Sequence, residues 1–196
     1  MSKKREAILN TATILFSEKG FNETSIAELA QFSKVAEGTI FYHFKTKADV
    51  FLAILENVKN GITREFDQYI GQCNFDTGLQ MMEEVVAFFL YLASHHEAWF
   101  RLLHRHYPYE FARSNNECRS HLEAIYNTLI DLFEGAIHRG HMDGSISKRS
   151  PRKTALLIFS MVNGLIWLKF HDLYDISSLY QELLTSCRGI FTYNDQ

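Results

Sequence analysis

The sequence predicts an all-α protein: a three-helix head with a helix-turn-helix layout, followed by a larger helical body. Three observations predict it. Apolar residues recur at three- and four-residue spacing along most of the chain. Only 2 Pro and 10 Gly punctuate 196 residues, which leaves room for long helices. No Val/Ile/Thr alternation is long enough for a strand.

The elements follow in order. Ile8, Ala12, Leu15 and Phe16 form the stripe of a first helix, and Gly20 is its stop. Asn22-Glu23-Thr24-Ser25 then offers a cap, with Glu28 placed three residues after Ser25 as in a capping box. Ile26, Leu29 and Ala30 are the inward stripe of a short second helix, and Gln31–Lys34 reads as its end and a turn. A third short helix is expected from Ala36 to Phe44. Thr46 caps a fourth, with Asp49 three residues on and Val50, Phe51, Ile54, Leu55 and Val58 facing inward. Three short helices with a tight turn between the second and third make a helix-turn-helix.

Long aromatic-rich helices follow. Gly78–His95 carries Met82, Val85, Val86, Phe89 and Leu92; a segment from Glu97 to Tyr107 is expected to break at Pro108. Glu117–Arg139 is a long helix with Gly140 and Gly144 after it. Pro151–His171 is entered with Ser150 as cap and proline in the first turn. Ser177–Phe191 is the last. The expected division gives the head residues 1–50 and the body 51–196, with the fourth helix linking them.

Composition excludes several classes. Hydrophobic residues make up 46% and charged residues 22%, which is globular rather than disordered. Three well-separated cysteines with no CxxC argue against a disulfide scaffold and fit a reducing compartment. The N-terminus lacks the continuous apolar region of a signal peptide. The longest uncharged apolar run, Thr154–Leu168, is 15 residues, short of the roughly 20 a membrane span needs. A soluble cytoplasmic protein is therefore expected. The sequence carries no HExxH, ExxH, GxGxxG, Walker loop or GxSxG, so neither an enzyme nor a cofactor or metal is expected. The formal net charge is −3, yet residues 1–47 hold seven Lys/Arg against five acids. A basic head on an acidic body points toward nucleic acid.

In the third helix, Ile40 and Phe44 lie four apart and are expected to face the head's core. Thr39, Tyr42 and His43 share the other face, and Gly38 allows close backbone approach. A hydroxyl, a phenol and an imidazole together suit phosphate oxygens and base edges in a major groove; the same pattern also fits an ordinary polar helix face.

The stretch TSIAELAQFSKVAEGTIFYHFKTKADVFLAIL resembles the DNA-binding domain of the TetR family of bacterial transcriptional regulators, and Phe16-Ser17-Glu18-Lys19-Gly20-Phe21 also matches. The resemblance covers about residues 5–60. It implies that residues 36–43 form the recognition helix, with Thr39 and Tyr42 on phosphates or base edges and His43 on a phosphate. It also implies Lys47 on the DNA backbone, and Thr24 or Ser25 capping the second helix against a phosphate. Glu37, Gly38 and Phe41 complete the expected DNA-facing set. Three departures stand out: Lys34 replaces a turn glycine, Ala36 replaces a capping Ser, and Glu37 brings a negative charge toward phosphates. Phe41 stands at a common Tyr position, which removes a phenolic contact.

For the body, the resemblance implies a homodimer through the last two long helices. Phe159, Val162, Gly164, Ile166, Leu183 and Cys187 are the expected contacts, although the same stripes can face the chain's own core. It also implies a small-molecule cavity. Met82, Phe89, Trp99, Phe100, Leu103, His104, Tyr107, Tyr126, Met161, Asn163 and Trp167 are its candidate lining, for an apolar or aromatic effector; a filled core is the plainer reading of any one of them. The function expected is thus a ligand-responsive DNA-binding regulator. Its form would be a repressor released from a palindromic operator in double-stranded DNA. The alternative is a helical lipid-carrier or protein-interaction module whose helix-turn-helix is structural.

Overall fold

In the computed structural model, which describes residues 2–171 and 173–192, α-helices and one 3-10 turn carry the chain, with no strand among the described residues. The helices are α1 (Lys3–Glu18), α2 (Ile26–Ser33), α3 (Glu37–His43), α4 (Lys47–Ile70) and α5 (Gly78–His95). They continue with α6 (Glu97–Leu103), α7 (Tyr107–Ser114), α8 (Asn116–Asp143), α9 (Pro151–Phe170) and α10 (Tyr180–Thr192). The all-α fold is the one the spacing predicts.

Side chains cap the starts of α2, α4, α5 and α8. Ser25 accepts from the Glu28 N–H at 3.0 Å, but the Glu28 carboxylate pairs with Lys19 at 2.5 Å instead of closing the box. Thr46 and Asp49 form a reciprocal box at 2.9 and 3.1 Å, and Thr77 with Gln80 does the same at the head of α5. Asn115 accepts from the Cys118 N–H at 2.8 Å ahead of α8. Ser150 holds the N-cap position of α9 without a side-chain capping bond, contrary to expectation. Gly20, at φ +100°, follows α1 as the stop that a left-handed residue provides. The expected break at Pro108 is a beginning: the proline lies in the first turn of α7, where its missing N–H costs nothing.

The chain divides into two compact units. Unit 1 holds the residues through Gly61 together with His96–Ile125; unit 2 holds Ile62–His95 and the residues from Tyr126 onward. This differs from the single expected cut after residue 50. The reason is tertiary: α6 packs along α1, and the Arg105 guanidinium donates to the carbonyls of Ser17, at 2.8 Å, and Glu18. A cation on the last carbonyls of α1 is favourable both as a cap and toward the helix dipole. Unit 1 buries Ile8, Phe16, Leu29, Ile40, Phe51, Leu55 and Phe100.

Unit 2 buries Met82, Phe88, Phe89, Phe133, Ile158, Val162 and Cys187. At its tightest point a Cβ on Gly78 would run into the backbone of Gly140. Glycine at 78 lets α5 close on α8, glycine at 140 makes room for the Ile146 side chain, and Asp143 reaches the α5 N-terminus, accepting from the Gly78 N–H at 2.6 Å. By composition α9 is long and apolar enough to cross a membrane. Its Ala155, Ile158, Phe159, Val162 and Ile166 are buried within unit 2, as in a core helix.

Candidate nucleic-acid interface and cavities

Within unit 1, α2 ends at Lys34, which adopts φ +55° and ψ +42°. The left-handed residue turns the chain sharply into α3, and a non-glycine there costs roughly 1–2 kcal/mol. The sequence reads a turn here. Ala36 starts α3 with no side-chain cap, and Ile40 and Phe44 are buried as their spacing predicts.

The opposite face of α3 is open. Glu37, Gly38, Phe41 and Tyr42 are exposed, Tyr42 at 85% and Phe41 at 51%, while Thr39 and His43 are half-buried. Tyr42 meets the edge of the His43 ring at 5.1 Å. Nothing occupies the space a Cβ would take at Gly38. Phe32, 59% exposed near the end of α2, is a third open aromatic, one that the sequence pattern did not single out. The signal was present, since residue 32 falls off the stripe set by Ile26, Leu29 and Ala30.

Lys47 is tied inward. Its ammonium donates to the carbonyls of Phe21 at 2.8 Å and Thr24 at 2.9 Å, and sits 4.4 Å from the Phe21 ring centre. Burial lowers its pKa, and the Glu23 carboxylate opposes that. Thr24 is buried and its hydroxyl donates to the Gly20 carbonyl at 2.9 Å, so Ser25 is the cap of α2.

The candidate effector residues fall in both units. In unit 1, Phe100 and Leu103 are buried, His104 is half-buried, and Trp99 lies against Gly61, where a Cβ would strike its ring. Tyr107 stacks on Phe21 at 4.0 Å, and burial pushes its pKa to about 12. In unit 2, Met82 and Phe89 are fully buried, Met161 and Asn163 are half-buried, and Tyr126 meets Phe159 edge-on at 5.9 Å. Trp167 is 41% exposed and stacks on His171 at 4.1 Å.

The candidate dimer residues divide differently. Phe159, Val162, Ile166, Leu183 and Cys187 are buried within one chain, whereas Gly164 is exposed. The outward face of α9 runs instead through Leu156, Leu157, Ser160, Gly164 and Trp167, with Leu157 60% exposed. A helix apolar around most of its girth has two hydrophobic stripes, and periodicity does not tell which one faces home.

Cavities open in both units. Unit 1 holds one of about 260 Å³ beside Phe16, Phe21, Phe51, Arg105 and Tyr107. Unit 2 holds one of about 670 Å³ between α5, the end of α9 and the segment leading into α10, and none of the eleven candidate effector residues lines it.

Residues 8–54 match the family model described as bacterial regulatory proteins, tetR family. The chain is similar to the fatty acid metabolism regulator protein of Bacillus subtilis (strain 168), 22% identical over 182 residues and 90% of each chain. It is also similar to the HTH-type transcriptional repressor BepR of Brucella suis biovar 1 (strain 1330), 25% identical over 182 residues, covering 89% of this chain and 85% of BepR. The crystal structure of the transcriptional regulator FadR from Bacillus subtilis in complex with stearoyl-CoA shares the fold, with a TM-score of 0.76 and 20% identity over 95% of this chain and 98% of that one. With its helix-turn-helix inside the matched segment and its helical body following the relatives nearly end to end, the chain carries the DNA-binding domain described for the tetR family of bacterial regulatory proteins and is similar along its length to transcription regulators.

Proposed function

We propose that two copies of the chain bind a palindromic operator in double-stranded DNA and repress transcription in the cytoplasm until a small molecule releases them. The observation that carries the reading is the open face of α3. Large aromatic side chains are seldom left this exposed without a partner, and Tyr42 at 85% exposure makes little intramolecular contact to justify its position. Beside it stand Thr39, His43 and the vacant space at Gly38, with Lys34 and Lys45 exposed nearby. A helix of this form presents hydroxyl, phenol and imidazole to phosphates and base edges, with cations for the backbone. Glu37 accepts from a cytosine amine in this reading, and Lys47 spends its third N–H on a phosphate.

One seven-residue helix reads a short half-site, and a two-fold pair reads a palindrome. The open α9 face of Leu157, Ser160, Gly164 and Trp167 supplies the pairing surface. The second copy buries apolar area there, and Gly164 lets the helices approach. A small molecule bound in unit 2 acts by favouring one state of the dimer over another, with α4 and α8, which both units share, as the covalent route. The relative in complex with stearoyl-CoA supports small-molecule control of this fold.

The test is selection of genomic fragments on the purified protein at fixed salt, followed by binding curves on the enriched sequence. Enrichment of a palindrome whose affinity falls steeply with salt is expected. No enrichment over bulk DNA contradicts the proposal.

A further inference from the structure

We propose that Phe41 is a specificity-determining residue that reads the C5-methyl group of a thymine in each half of the operator, within two base steps of the cytosine assigned to Glu37. This rests on the reading of α3 as the DNA-reading helix.

The faces of α3 carry the argument. Residues four apart share a helix face, and the four such pairs from Glu37 to Phe44 are matched in burial. Ile40 and Phe44 are buried, and Thr39 and His43 are half-buried. Gly38 with Tyr42, and Glu37 with Phe41, are exposed. The fully open surface is therefore centred on these last four residues, and Thr39 and His43 stand at its edge. Phe41 is 51% exposed. Among the described residues no other ring packs on it, and no cation pairs with the Glu37 carboxylate. The empty space at Gly38 leaves room for a groove floor to come close to this row.

The chemistry of the ring decides what it reads. A phenyl group has no donor and no acceptor. Against a phosphate it makes no hydrogen bond. Against the amine, carbonyl and N7 groups of the major groove it displaces water and replaces nothing. The one apolar group that those base edges present is the thymine C5-methyl. Contact there removes apolar surface of both partners from water. Glu37, an acceptor alone when ionised, takes the cytosine amine on the same row. Four residues rise about 6 Å along a helix, and neighbouring bases about 3.4 Å, so the two readers fall one or two base steps apart.

The experiment is fluorescence anisotropy on the selected palindrome. It is repeated on copies in which each symmetric pair of thymines is replaced in turn by deoxyuridine, whose base lacks only the methyl. Burying one methyl is worth about fourfold in affinity, so two half-sites give about fifteenfold. Wild type is expected to lose about that factor at one thymine pair, placed within two base steps of a cytosine. Phe41→Ala is expected to bind the thymine and uracil versions of that pair alike, with the salt slope of wild type, since the phosphate contacts are untouched. Full wild-type affinity for every uracil copy overturns the proposal and puts the ring on a sugar. A selected half-site without thymine also overturns it. So does Phe41→Ala with the wild-type preference for thymine, which gives the methyl to another residue. In these three cases salt-dependent binding of the palindrome leaves the regulator reading standing. Failure to select any palindrome refutes that reading, and this proposal with it.

Discussion

Lys47→Met separates two roles that the sequence alone merges. Methionine keeps an apolar stem near Phe21 and deletes the ammonium, so the 2.8 and 2.9 Å bonds to the Phe21 and Thr24 carbonyls are lost. Hydrogen bonds from a charged donor contribute about 1.5–3 kcal/mol each. The ammonium is only part-buried, and its lowered pKa reports a desolvation cost that offsets some of the gain. The low end is therefore appropriate, about 2–3 kcal/mol in all. For a protein of this size, each kcal/mol moves Tm by about 2–4 °C, so thermal unfolding at pH 7 should shift down by about 4–12 °C. Operator binding read below the unfolding range should also lose roughly one unit of salt slope, since the third N–H is assigned to a phosphate. An unchanged Tm refutes the tie between α4 and the α1–α2 turn. An unchanged slope with a lowered Tm refutes the phosphate contact and leaves Lys47 as a structural residue.

Thr39→Ala combined with Tyr42→Ala should weaken operator binding by more than tenfold with an unchanged helical circular-dichroism spectrum, because Tyr42 is 85% exposed. Gly164→Arg should convert the dimer to monomer in sedimentation without unfolding it, since none of the described residues occupies the space beside Gly164; a wild-type protein that sediments as monomer at micromolar concentration contradicts the pairing surface. Asp143 accepts hydrogen bonds from the Ser145 hydroxyl and backbone N–H and from the Gly78 N–H, which hold its pKa below the usual carboxylate value. Its folded pKa lies below the unfolded one, so its contribution is present above about pH 4 and disappears as pH falls through the folded value. Asp143→Asn should accordingly lower Tm at pH 7, with the gap to wild type closing in acid; an equal gap at pH 7 and pH 2 counts against the charged cap.

The head was legible because its signals are local. Ser25, Thr46 and Asp49 announce helix starts by their own hydrogen bonds, Gly20 announces a stop, and Ile40 with Phe44 announces the buried side of α3. Lys34 reads as a turn residue although its left-handed geometry favours glycine. What was not legible depends on contacts distant in sequence. Arg105 ties the residues after α6 to the end of α1, 88 positions away, so no composition shift marks the true extent of unit 1. Pro108 was read as a breaker because proline ends a helix as readily as it begins one. In the body, the apolar stripes of α9 are too wide to assign by period. Of the residues expected at a dimer contact, all but Gly164 are buried within one chain, and the open row, which includes Gly164, lies on the other side.

The aromatic excess misled for a related reason. Phe89, Phe100 and Met82 fill space against their own unit, as large apolar side chains in a close-packed interior do. The larger cavity is walled mainly by aliphatic residues, and its one cation among the described residues, the exposed Lys169, carried no motif to mark it.

The central claim is that the exposed face of α3 reads DNA as one half of a symmetric pair. The most direct measurement is a salt series of fluorescence-anisotropy titrations on the selected palindrome, on the same DNA with one half-site scrambled, and with the Thr39/Tyr42 double variant. The account predicts tight binding to the intact palindrome, a steep loss of affinity with salt, and at least tenfold weaker binding for either the scrambled DNA or the variant. Equal affinity for intact and scrambled DNA, with the variant binding as wild type does, would contradict it.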